Sequence, residues 1–416
     1  MIYCMQNTTA LPSTSLRPLF TLPVIVAALG YFVDVYDLLL FNIVRVPSLK
    51  DMGLSEADVS LVGGRILNYQ QAGLLLGGIL WGILGDKRGR LSVLFGSIIT
   101  YSLANLACGF VHDPQVYAWL RLVAGFGLAG ELGAGITLVS EILPPHLRGY
   151  GSSLVASVGL LGAVVAYFTV TLFDWRTTYL IGGGLGLGLL LLRVSVLESG
   201  MFKRVQGTSV KRGNFWALFR DGPATLRYLR CMGIALPTYL VIGILATFSN
   251  EFGKAVGVQE AIQPGRGVMF TYVGIVAGDL FSGILSQWLQ SRRKAIGLMM
   301  AFTFMCVTIY LFGGINSARL FYAICLAMGF GIGYIAMFLT ITAESYGTNL
   351  RATATTSVAN NVRATTLLSI PAFQAMKPSL GVVESAAIVA LICFALALWS
   401  LMTIEETFGK ELDYSE

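Results

Sequence analysis

Apolar residues run along the chain in long blocks rather than in the short alternations of strands, and Gly, Pro and charged residues punctuate the blocks. With about 20 apolar residues needed to cross a bilayer as a helix, cutting at that punctuation predicts twelve spans. They lie at about 19–44, 60–84, 91–110, 116–140, 151–172, 177–197, 229–251, 265–289, 295–313, 320–342, 353–374 and 382–403. The first block is too long for a signal peptide, lacks a basic leader and carries Asp34 and Asp37, so it is expected to remain as helix 1. The longest polar stretch divides the spans six and six. It predicts an N-terminal six-helix bundle over 1–197, a cytoplasmic linker over 198–227 and a C-terminal six-helix bundle over 228–416.

Charge sets the orientation. Seventeen Lys and Arg fall in segments on one side of the spans and seven on the other (Arg45, Lys50, Arg176, Lys254, Arg266, Arg319 and Lys377), while Arg65, Arg121, Arg193 and Arg363 lie within spans. Because cytoplasmic segments hold the excess of positive charge, both termini are predicted to be cytoplasmic, in a multi-pass protein of the inner cell membrane. Composition agrees: 55% of residues are hydrophobic and 12% charged, against about 25% charged in an ordinary soluble domain. The net charge of +6 is scattered between apolar blocks, so it reads as topology and not as a nucleic-acid surface. The six Cys have no metal-type spacing, and neither a zinc site nor a disulfide framework is expected.

The halves echo each other. Gly82-Ile83-Leu84 recurs as Gly283-Ile284-Leu285 at an offset of 201, Glu141 with Arg148 recurs as Glu344 with Arg351 at 203, and Glu198-Ser199 recurs as Glu406-Thr407 at 208. A tandem duplication of a six-helix unit follows, with a substrate site expected between the halves near mid-membrane.

The most specific motif lies between spans 2 and 3: Gly82-Ile83-Leu84-Gly85-Asp86-Lys87-Arg88-Gly89-Arg90. The glycines permit close helix approach and a tight turn, and Asp86 can cap helix 3 or hold basic groups of a neighbouring helix. This string resembles the signature loop of the major facilitator superfamily. Span 4 adds Arg121 followed by Gly125, Gly127, Gly130-Glu131 and Gly133, and span 1 reads Asp34-Val35-Tyr36-Asp37. Together these resemble the metabolite:proton symporter branch of that superfamily and its sugar-porter relatives. The resemblance implies an all-α fold of twelve helices in two pseudo-repeats, alternating access, and no cofactor other than coupling protons. The chain departs from the pattern in places: Ser286 to Lys294 keeps neither the Asp nor the Gly of the first loop, Ala129 precedes Gly130, and Asn360-Asn361-Val362-Arg363 in span 11 is not part of it.

Charges inside a membrane cost at least about 2.5–3.5 kcal/mol on insertion scales, so the intramembrane ionisable residues are the functional candidates. Asp34 and Asp37 stand three apart and are expected on one helical face. Asp37 beside Arg121 is expected to alternate between ion-paired and protonated states, as the matching pair does in similar symporters; the bland reading is a permanent salt bridge. Glu131 is a second proton carrier, a substrate contact or a protonated group hydrogen-bonded in a helix interface. Arg65, Asn68 and Gln71 in span 2, and Thr356, Asn360 and Arg363 in span 11, form polar stripes suited to an aqueous cavity. A guanidinium matches a carboxylate bidentately, so a carboxylate clamped by Arg363 is the preferred reading, while for Arg65 snorkelling at the outer end is the stronger reading. Asp279 pairs either with Arg363 or with a substrate amine, and Tyr239 and Tyr334 are further cavity candidates. Glu141 with Arg148, Glu344 with Arg351, and the loop Gly82, Asp86, Arg88, Gly89 and Arg90 read as conformational latches.

The expected function is proton-coupled import of a small polar carboxylate-bearing metabolite, an organic acid or amino acid, by a functional monomer. Sugar:proton symport, export of drugs or metabolites, and a receptor that binds without transporting are the alternatives. An enzyme is not expected, since the chain's two His, His112 and His146, lie near helix ends with no partnered nucleophile.

Overall fold

The computed structural model describes residues 17–88, 90–130, 139, 143, 148–198, 215–347 and 350–409. Among them twelve helical spans follow in chain order, with no strand. The first six are α1 (Leu22–Asp51), α2 (Glu56–Arg88), α3 (Arg90–Cys108), α4 (Pro114–Leu128), α5 (Arg148–Leu172) and α6 (Trp175–Glu198). Helix α7 begins as Gly222–Ile234 and continues, after a 45° bend, as Leu236–Ala246. Then come α8 (Pro264–Leu289), α9 (Arg292–Phe312), α10 (Ala318–Ile332, then Ile335–Glu344), α11 (Arg351–Ala364, then Thr366–Leu380) and α12 (Val382–Thr403).

Seven of these helices are long and apolar enough to cross a membrane by themselves, eight when bent α7 counts as one. The other four, α2, α3, α4 and α11, are where the polar stripes and the shorter described stretches lie. Helix α11 opens on Arg-Ala-Thr-Ala-Thr-Thr-Ser, and its Asn360 donates to the Ala129 carbonyl of the other half.

Helix ends follow local chemistry. Asp113 caps α4 ahead of Pro114, Ser291 caps α9, and Ser317 caps α10. Gly381 takes φ +90, the left-handed turn between α11 and α12 that a side chain would strain. In α7 the bend falls beside Pro237, which has no N–H to give the helix ladder. The hydroxyl of Tyr334 donates to the Ile234 carbonyl there, at 3.2 Å.

Within each half the tightest packing uses glycine against backbone, and it does so twice in the same way. Gly73 and Gly77 of α2 lie against the carbonyls of Leu122 and Phe126 of α4, and Gly125 returns the contact on the Gln70 carbonyl. In the second half Gly274 and Gly278 of α8 lie against the carbonyls of Leu326 and Phe330 of α10, and Gly329 returns it on Thr271. The α2 and α8 positions differ by 201, the offset of the sequence repeat. Small residues are what lets helices approach when lipid gives no hydrophobic drive between them. The first-half helices meet the second half along α5 against α8, α2 against α11, and α1 against α8.

Arg45, counted among the loop charges of the side away from the termini, lies inside α1 and is 1% exposed.

Candidate functional site

A cavity lies between the halves. Tyr31, Val35, Leu38, Leu39 and Asn42 line it from α1, a stripe at spacings of three and four that holds one helix face toward it. Leu67 and Gln71 come from α2 and Leu160 from α5; the other half supplies Tyr239, Ile242, Gly243 and Thr247 of α7, Tyr272 of α8, Ile335 of α10, and Arg363, Thr366 and Ile370 of α11. Between Tyr239 and Thr247 the chain makes a π-helical turn, Val241–Ala246, and such turns re-aim side chains at functional sites.

Arg363 is the one charged group among the described lining residues, and it is 6% exposed. Its Nε donates to the Tyr239 hydroxyl at 3.2 Å, while Nη1 has no hydrogen-bond partner among the described residues. Asp34, fully buried on α1, stands within electrostatic reach of it. The site therefore offers a cation with an open donor, three tyrosines (Tyr31, Tyr239 and Tyr272) and otherwise mostly apolar walls.

Arg121 lies apart from that cavity, buried within the first half. The expected ion pair with Asp37 is absent: Nη2 donates to the Asp37 backbone carbonyl at 3.0 Å, Nη1 to Asn105 Oδ1 at 2.7 Å, and Nε to Gln70 Oε1 at 3.2 Å, with the Tyr179 ring 5.6 Å away. Gln70 is held by donating to the Leu38 carbonyl at 2.8 Å. The Asp37 carboxylate lies against the bare backbone of Gly182 and beside Asn105, and neither oxygen closes a well-formed hydrogen bond among the described residues. Asp34 and Asp37 are both buried, the first within electrostatic reach of Arg363 and the second of Arg121.

Several other candidates fall elsewhere. Arg65 is on the exposed face of α2, as a snorkelling residue would be. Asn360 donates to the Ala129 carbonyl at 3.1 Å, tying α11 to the end of α4 outside the lining. Asn68 and Thr356 are half-buried and outside it as well. Asp279 makes no pair with Arg363; it accepts from the Ala336 N–H at 2.8 Å and caps the second segment of α10. Tyr334 holds the α7 bend. Glu344 meets Arg292 at 3.2 Å and the Thr407 hydroxyl at 2.7 Å, while Arg351 Nε donates to the Ala343 carbonyl at 2.9 Å. Glu131, Glu141 and Gly89 lie outside the described residues. Gly82, Asp86, Arg88, Arg90 and Arg148 fall on the ends of α2, α3 and α5, with their side chains outside the description.

On the face away from the termini the halves are sealed. Lys377 of α11 forms an ion pair with Glu251, which follows α7, and the Ser60 hydroxyl of α2 donates to Glu251 at 2.8 Å. Gln374 donates to the Ser60 carbonyl at 3.3 Å, and Arg266 of α8 donates to the Tyr167 hydroxyl of α5 at 3.0 Å. Sequence reasoning missed Tyr31, Tyr272, Asn42, Gln70 and Asn105. Tyr31 is one turn before Asp34 on the same face, which was a usable signal; Gln70 adjoins Gln71, and only the rotation of α2 separates them.

A sequence profile of the Major Facilitator Superfamily matches residues 27–369. The chain is 26% identical to the niacin transporter NiaP of Acinetobacter baylyi, over 79% of this chain and 80% of that one. It is 25% identical to a protein of Cupriavidus pinatubonensis described as "Probable 4-methylmuconolactone transporter", over 92% and 90%. Among solved structures, the proton:xylose symporter XylE bound to 6-bromo-6-deoxy-D-glucose superposes with a TM-score of 0.72 at 15% identity, over 95% of this chain and 98% of that one.

Proposed function

This chain belongs to the major facilitator superfamily, and we propose that it imports a compact ring compound bearing a carboxylate, together with protons, across a bacterial inner membrane. It is a multi-pass transporter and not an enzyme. The observation that carries the substrate class is Arg363: a buried guanidinium with an unused donor, alone in charge among the described lining residues and ringed by tyrosines. A carboxylate satisfies that donor, and a flat ring fills the aromatic and apolar remainder. Niacin, named for one relative, is such a molecule.

The proton acts at Asp37. In the sealed state its carboxylate is buried without strong partners while Arg121 is held by neutral groups; movement of α1 against α4 brings the two charges together or parts them. The halves before and after residues 198–227 rock about the cavity, with the sealed face outward, both termini inward and the monomer as the working unit. Sugar symport is less well supported: likeness to XylE at 15% identity bears on the fold alone, and Asn360, the best sugar-type contact in span 11, is engaged with Ala129.

The test is a cycle of two proteins by two ligands, wild type and Arg363→Ala against nicotinate and nicotinamide, read by isothermal titration. Nicotinate should lose affinity worth about 2–5 kcal/mol on the substitution, as expected for a buried pair losing one partner, while nicotinamide changes little. Equal losses for both ligands would mean that Arg363 does not meet the carboxylate.

A further inference from the structure

We propose that Arg45 is a second, outer carboxylate-binding position, which receives the substrate's anion when the sealed face opens and hands it to Arg363 as the face closes. This rests on the carboxylate reading of the central cavity.

Arg45 is the largest fully buried side chain of α1, at the end of the stripe that lines the cavity. It follows the lining residue Asn42 by three positions, one helical turn toward the sealed face. Its stem lies against Gly63 of α2, where a Cβ would collide with Cγ and Cδ, so the first half cradles it. Its head reaches across to the second half: Nη2 donates to the carbonyl of Thr247, itself a lining residue, at 3.1 Å, and the guanidinium carbon sits 4.4 Å from the centre of the Phe248 ring. Nε and Nη1 have no partner among the described residues, and the Glu251 carboxylate, engaged with Lys377, is within electrostatic reach but forms no ion pair with it.

Leaving two guanidinium nitrogens buried and unsatisfied is costly. A group retained at that cost, on the path between the outer face and the cavity, has a use in another state. When the halves part, Thr247 and Phe248 leave with α7, and Arg45 stays on α1 in the Gly63 cradle with all its donors facing the opening. An entering carboxylate meets this cation before Arg363. On closure the Thr247 carbonyl returns to Nη2 and competes with the anion, whose remaining cationic partner is Arg363 deeper in the cavity. A neutral amide ring of the same shape gains nothing from this step.

The experiment uses the full chain in proteoliposomes. Initial uptake is measured for nicotinate and for benzoate, with their carboxamides for comparison, in wild type, Arg45→Gln, Arg45→Lys and Arg363→Gln, and equilibrium binding is measured on the same purified proteins. Arg45→Gln should lower the carboxylate-over-amide preference in kcat/KM about tenfold, Arg45→Lys should retain most of it, and the equilibrium Kd of Arg45→Gln, dominated by the sealed state, should stay within threefold of wild type. Equal losses for carboxylate and amide would make Arg45 only a part of the seal and overturn the proposal. An unchanged preference in Arg45→Gln beside a collapsed one in Arg363→Gln would overturn it too, leaving the central site standing. If Arg363→Gln keeps its preference, or no carboxylate is bound by wild type, the central reading itself fails and the hand-over fails with it.

Discussion

The Arg121 guanidinium is taken up by Gln70, Asn105 and the Asp37 backbone carbonyl and closes no ion pair with the Asp37 carboxylate; the proposed proton coupling acts at this pair. Asn at position 37 mimics the protonated carboxyl, so Asp37→Asn should abolish pH-driven uptake while substrate exchange at equal pH continues; full pH-driven uptake would remove Asp37 from the mechanism. Outside the membrane, Glu406 clamps the start of α9. Partial burial pushes its carboxyl up, but hydrogen bonds from the Ser291 hydroxyl and the N–H groups of Arg292, Phe408 and Arg293 outweigh this and leave it below the usual carboxylate range. A lowered folded-state value means that the clamp stabilises fully above the unfolded pKa of about 4.3 and is lost as pH falls through the folded value. Glu406→Gln should therefore flatten the acid side of the melting-temperature profile, with little pH dependence added near neutrality. At this scale the sequence revealed that Asp34, Asp37, Arg121, Asp279 and Arg363 are buried, because an intramembrane charge is conspicuous, but it missed Arg45, which read as a loop charge. It did not reveal their partners. Arg121 was matched to a carboxylate, yet the groups that hold it are the amides Gln70 and Asn105 and a backbone carbonyl, and neutral partners leave no mark in a charge pattern.

Helix positions were legible to within a few residues where the blocks were apolar throughout, as in 265–289 against Pro264–Leu289 and 382–403 against Val382–Thr403. Interruptions were not. Helices α7, α10 and α11 each read as one block, because a bend beside Pro237 or a break at Gly333 and Tyr334 costs no hydropathy. The glycine contacts between α2 and α4, and between α8 and α10, should be the least tolerant positions of the fold. Gly73→Val and Gly274→Val place a branched side chain on a neighbouring carbonyl, so each should destabilise by more than the about 1–3 kcal/mol of ordinary overpacking. Gly184→Ala meets nothing within 4 Å and should stay within about 0.5 kcal/mol of wild type. Melting of the detergent-purified proteins separates the two classes; similar melting of all three would show that the helix approach is looser than described.

At the scale of the molecule, the two glycine-packed halves with a cavity between them follow the 201 offset, whereas the seal was not legible, since Ser60 and Glu251 carry no signal in the pattern and Lys377 read as a charge between spans. Lys377→Met leaves Glu251 without its ion pair at a mostly buried contact, which should favour the outward-open form. Thr247→Cys, placed at the roof of the cavity, should then react with a membrane-impermeant maleimide at least tenfold faster than in the Lys377 background; an unchanged rate would mean that the pair does not hold the seal. Beneath the seal lies the central claim, that Arg363 takes a carboxylate which protons drive inward. The direct measurement is nicotinate accumulation in proteoliposomes under an imposed pH gradient, corrected for protein-free liposomes and compared with nicotinamide. The account predicts accumulation of nicotinate above its passive level, none of nicotinamide, and none of either in Arg363→Ala. Accumulation of nicotinamide to the same extent, or accumulation of nicotinate undiminished in Arg363→Ala, would contradict it.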